Sequence, residues 1–152
     1  MKAKIVLATL LVLLVSCKSS MVSSDIKEDY RDDFRAMDEI NKETFLQKLN
    51  ATASSKSVLL FTQGFKGEKI VAKQLDKTIY SIYPITNKNT LMATQFGFNN
   101  QNDLLLFDNF SKKEIKIPSE KAIKHKFIYL KKENKGTETT YLITYSNTLR
   151  PF

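Results

Sequence analysis

The chain of 152 residues has no tryptophan, one cysteine, one histidine, three prolines and four glycines. One cysteine, Cys17, cannot close an intrachain disulfide or build a cysteine-based zinc site. One histidine, His125, stands between Lys124 and Lys126 with no nucleophile or orienting acid at a telling spacing. With so few glycines there is no phosphate-cradling loop, and neither HExxH nor GxSxG occurs. The acidic run from Asp25 to Asp33 lacks the alternate acids and central glycine of a calcium loop. These absences predict a non-enzymatic protein without a metal or cofactor. Arginine is scarce as well, at 3 against 21 lysines, which removes most bidentate base recognition.

Long hydrophobic runs are also missing, with one exception of limited length. Ile5 to Val15 is uncharged and spans eleven residues, where a membrane-crossing helix needs about 20. Lys2 and Lys4 precede it, and Ser16 and Cys17 follow. A basic start, a short apolar stretch and a small-residue site read as a secretory signal. Leu14-Val15-Ser16-Cys17 resembles the lipobox of bacterial lipoproteins. The resemblance implies a signal peptide over residues 1–16, cleavage before Cys17 and a diacylglycerol thioether on its sulfur. A further acyl chain such as palmitate would sit on the new amine. Lys18 in place of Asp implies the outer membrane. The lysine- and asparagine-rich style is similar to lipoproteins of the Bacteroidota. Without acids after the cysteine, a periplasm-facing anchor is favoured over the cell surface.

Beyond the lipidated cysteine, residues 17–24 form a polar tether, and residues 25–152 form one domain. Ile26, Tyr30, Phe34, Met37 and Ile40 recur at spacings of four, four, three and three. That is an amphipathic stripe, and it predicts a helix from Asp25 with a break near Asn41, which caps a second short helix. From Ser57 the texture changes to short alternating runs with turn residues between them. Eight strands are read: 57–63, 68–74, 78–84, 90–98, 103–108, 113–118, 126–132 and 138–146. Gly97 inside a strand pattern suggests a bulge, and residues 119–125 leave room for one helical turn. The expected class is α+β, mostly β. An N-terminal amphipathic helix packs on an antiparallel meander of about eight strands, as a partial barrel or small sandwich.

Charge is unevenly spread. Residues 18–50 carry 6 basic and 8 acidic side chains, whereas residues 51–152 carry 16 and 8. Nine lysines and three glutamates fall between Lys112 and Lys135. An export signal argues against nucleic acid as the partner of this stretch. Two functional expectations follow. One is an accessory or assembly subunit, held to the membrane by acyl chains on Cys17 and contacting another envelope protein. The other is a module for an anionic envelope ligand such as peptidoglycan, lipopolysaccharide or acidic glycan, with Lys124, Lys126, Lys131 and Lys132 as ligand-binding residues.

Overall fold

A computed structural model describes residues 25–152. The signal peptide over 1–16, the lipidated Cys17 and the tether up to residue 24 lie outside the described residues. Among the described residues the elements are β1 (Ile26–Tyr30), α1 (Glu39–Lys48), β2 (Lys56–Phe61), β3 (Ile70–Gln74), β4 (Lys77–Ile82), β5 (Thr94–Asn99), β6 (Leu104–Asp108), β7 (Lys113–Ile117), α2 (Ser119–Ala122), β8 (Phe127–Lys135) and β9 (Glu138–Ser146). The fold is mostly β. The nine strands form two open sheets, of order β1-β9-β8-β2-β5 and β4-β3-β6-β7.

All eight strands expected from alternation are present within a few residues of their expected bounds, and α2 fills the predicted turn after Pro118. Their connection is not a meander. The chain crosses between the sheets after β2, β4, β5 and β7, and β1–β9 and β2–β8 pair in parallel. The composition of β2 gives the reason. Val58, Leu59, Leu60 and Phe61 are all fully buried, so this strand needs cover on both faces. Leu59 and Phe61 enter the core between the sheets, with Leu104, Leu106, Ile128, Leu130 and Ile143. Val58 and Leu60 enter a second core with Leu46, Phe127, Tyr129 and Leu149, over which α1 and the C-terminal segment pack. Each such leucine contributes about 1.5–3 kcal/mol by leaving water.

No helix starts at Asp25. Ile26–Tyr30 is a strand, paired in parallel with Tyr141–Tyr145 of β9. Helical spacing is a weak prior, and an open strand edge offering five residues of ladder outweighs it. Ile26 packs against the inter-sheet core and Tyr30 stacks on Tyr145. Among the charged residues of β1, Glu28 meets Lys121, and just beyond the strand Arg31 chelates Asp33. The helix that does form begins later. Asp38 caps it, accepting from Asn41 N at 3.0 Å, and Asn50 ends it at φ 49°. Its buried contacts come from Phe45, Leu46 and Leu49, which fall off the expected stripe, while Ile40 on that stripe is 81% exposed.

Gly97 does not make a bulge; the register shift lies between Ala72 and Lys73. A Cβ on Gly97 would stand 2.7 Å from the Leu49 carbonyl oxygen, so this glycine lets the end of α1 touch the sheet. Strand direction gives the sandwich two ends. Asp25, the 62–69 loop, the 83–93 connection and the turns after β6 and β8 share one end. The turns after β3 and β5, with α2 and His125, share the other.

Candidate functional site

The structure does not gather the four singled-out lysines onto one surface. Lys124 is exposed beyond α2. Lys126, at the same end, donates from Nζ to the carbonyls of Ala53 at 2.8 Å and Lys56 at 2.9 Å, and partial burial lowers its pKa. Lys131 and Lys132 are neighbours on β8 and therefore point to opposite faces. Lys131 pairs with Glu133 at 2.8 Å on the outer face. Lys132 points inward and is only 2% exposed.

Lys132 joins the two sheets. Its Nζ lies 2.7 Å from Asp108 Oδ2 at the end of β6 and also meets Glu68 Oε1. Tyr141 OH donates to the same Asp108 oxygen at 2.5 Å, and Ser111 Oγ lies 3.0 Å from Tyr141 OH. Asp108 Oδ1 accepts from the backbone N–H groups of Phe110 at 2.8 Å and Ser111 at 3.2 Å. Glu68 Oε2 accepts from Lys66 N at 2.7 Å. Burial alone would raise the Asp108 pKa. The hydrogen bonds from Lys132, Tyr141, Phe110 and Ser111 outweigh it and hold this carboxyl below its ordinary range. Burial and the Asp108 carboxylate push the Tyr141 phenol well above its ordinary value. Each carboxylate oxygen here has a donor, so the cluster is a satisfied clamp with no free base. Gly64 belongs to it: a Cβ there would fall 1.8 Å from the Lys132 carbonyl oxygen, so only glycine lets the 62–69 loop lie on β8. Periodicity contained the signal. Leu104, Leu106 and Asp108 share one face, as do Ile128, Leu130 and Lys132, so each inward row ends in a charge of opposite sign.

His125 sits at the opposite end. Its Nδ1 lies 2.8 Å from the Lys121 carbonyl oxygen, and its ring packs against Tyr30 and Tyr145. It borders a pocket of about 160 Å³ that also includes Ser57, whose hydroxyl is engaged with the carbonyls of Ala122 and His125. Nearby, Asn147 N and Ser146 Oγ donate to Asp32 and hold its pKa below the usual carboxylate range. Among the described residues no three His, Cys, Asp or Glu side chains gather to hold a metal ion.

Two surfaces remain as binding candidates. The outer face of the four-stranded sheet carries Val71, Leu105 and Phe107, each half-buried and in neither core. The register sets them in rows, Val71–Phe107–Glu114 and Lys73–Leu105–Lys116. Beside it β4 is an edge strand, mostly exposed. On the five-stranded sheet, where cover by α1 and the tail stops, Arg31, Lys131 and Arg150 border a pocket of about 220 Å³. The Arg150 guanidinium lies over the rings of Tyr129 at 5.2 Å and Phe34 at 5.6 Å. Comparison with protein-family models and with curated proteins finds no match to this chain.

Proposed function

We propose that this chain is a non-enzymatic, lipid-anchored envelope protein, held by acyl chains on Cys17 and acting as an accessory or assembly subunit through protein–protein contacts. The outer membrane, facing the periplasm, is its proposed site. The lipobox-like Leu14-Val15-Ser16-Cys17 supports the anchor. The observation that carries the binding role is the outer face of the four-stranded sheet. Its Val71, Leu105 and Phe107, in two adjacent rows, lie beside an exposed edge strand, and no described helix contributes to a core there. Half-exposed apolar side chains interleaved with Lys73, Glu114 and Lys116 have the mixed character of a non-obligate interface. A photo-crosslinking residue at position 105 or 107 of the membrane-borne chain should give one discrete adduct with an envelope protein. The same adduct from position 124, or none, would count against this face. Radiolabelled palmitate should enter the wild-type chain and not Cys17→Ala.

The second reading is the anionic envelope ligand. The pocket bordered by Arg31, Lys131 and Arg150 favours it, since two of the three arginines meet there on an aromatic floor. Of the four lysines expected to serve this role, Lys131 alone borders that pocket. Arg150→Ala should abolish binding of an acidic glycan if this reading holds. Binding unaffected by that change removes the pocket as the site.

A further inference from the structure

We propose that the end of the sandwich carrying Asp25 lies against an anionic membrane surface and forms a second attachment beside the acyl chains. The proposal rests on the lipoprotein reading for the nearness of a bilayer, while the chemistry of the surface stands on the structure.

Large apolar side chains stay exposed at both ends, Tyr30, Leu75 and Ile123 at the far one and four at this one. Tyr83, Ile85, Leu91 and Phe110 are four of the ten large hydrophobic residues left exposed among the described residues. Phe110 is the most prominent, 77% exposed in the turn between β6 and β7. These loops form one continuous surface. Lys66 bridges to Ile85, Gly67 N donates to the Pro84 carbonyl at 2.8 Å and Thr86 N to the Phe65 carbonyl at 3.0 Å. Phe110 connects across Lys132, whose Nζ is 5.5 Å from its ring centroid.

Exposed charge in the loops of this end is mostly positive. Lys66, Lys69, Lys88, Lys112 and Lys135 are exposed there, against Glu138 as the exposed acid of the same loops. Asp25 pairs with Lys113, both part-exposed, Glu68 and Asp108 pair with the buried Lys132, and Glu114 near the start of β7 stays exposed. The far end is mixed. Asp32, Asp33, Asp76 and Glu120 are exposed there, and its lysines are partly used in Lys116–Asp103 and Lys121–Glu28. Lysines around exposed aromatic and aliphatic tips suit acidic headgroups over an apolar interior, with long stems reaching the phosphate level.

Chain length selects this end. Eight residue steps separate Cys17 from Asp25, at most about 28 Å of extended backbone. A nine-residue strand such as β9 is about 30 Å long. The far end could face the bilayer only with the tether pulled nearly straight along the domain, whereas the Asp25 end reaches it with slack.

The test uses the chain from Lys18 to Phe152, which contains every described element and both cores. It is sedimented with vesicles of phosphatidylcholine, with and without phosphatidylglycerol. Binding is expected with phosphatidylglycerol and should weaken with salt. Lys66→Gln, Lys112→Gln and Lys135→Gln should each lower partitioning about fivefold, and Phe110→Ser about tenfold. Lys77→Gln and Lys124→Gln, at the far end, should leave it unchanged, and thermal unfolding should confirm that each variant is folded. Absence of phosphatidylglycerol-dependent binding, equal losses from both groups of variants, or full competition by soluble glycerol phosphate would each overturn the proposal. The mass of Cys17 in the membrane-purified chain is read separately. Unmodified Cys17 with vesicle binding intact removes the anchor and keeps this surface; acylated Cys17 without vesicle binding does the reverse.

Discussion

The two sheets are built from similar strands but are treated differently by the rest of the chain. The five-stranded sheet is covered on one face by its partner and, over β2 and the first half of β8, on the other by α1 and the C-terminal segment. The four-stranded sheet is covered on one face, and its outer face keeps Val71, Leu105 and Phe107 half-exposed. The apolar run Leu104–Phe107 therefore does not by itself require two covers. The run Val58–Phe61 does, because here a helix and a tail are spent on it. Stability should therefore concentrate between the sheets and behind β2, leaving the outer face of the second sheet free for binding.

Removing the clamp between the sheets should have the largest effect. Lys132→Ala leaves the Asp108 and Glu68 carboxylates buried together without their cation, and should cost about 3–5 kcal/mol in urea unfolding. A loss near zero would mean that the sheets are not joined there. The comparison of the faces themselves comes next. Leu60→Ala, behind β2, should cost about 2–5 kcal/mol, while Leu105→Ala on the open face should cost about 1 kcal/mol or less by the same assay. Equal losses would show that the outer face is covered after all. A smaller effect tests how α1 meets its sheet. Gly97→Ala pushes a methyl group into the Leu49 carbonyl and should lower stability by about 1–3 kcal/mol, visible as a lower Tm.

Asp108 is held below its ordinary pKa in the folded state, so the unfolded chain takes up its proton first as pH falls. The stability it contributes is whole above the unfolded carboxylate value of about 3.9 and is lost as pH drops through the folded one. Tm followed against pH should fall below about pH 4. Asp108→Asn should be less stable at neutral pH and show a shallower acid slope. The other lowered carboxyls, Asp32 and Asp103 among them, add to the slope that remains.

Much of this was legible in short-range pattern. Alternation and turn residues located β2 to β9, because a side chain's face on a strand depends only on parity. The same parity placed Lys131 and Lys132 on opposite faces, which by itself separates them as joint ligands. Asp38, three residues before Asn41, carried the cap of α1 in a form that sequence reading assigned to Asn41. The segment Ile26–Tyr30 was not legible, since its spacing fits a helix and its strand form depends on a partner more than a hundred residues away. Nor was the role of Gly97, which depends on how close the Leu49 carbonyl comes.

Local chemistry along the chain was enough for the strands, their inward faces and the expectation of a lipid anchor at Cys17. Each of these depends on neighbours within a few residues. Packing alone decided which strands pair, that Lys132 meets Asp108 and Glu68 out of water, and that lysines 66, 69, 88, 112 and 135 share one end with Phe110. Those relations join residues far apart in the chain. They arise only when β2 is buried on both sides and the chain must pass repeatedly between the sheets to cover it.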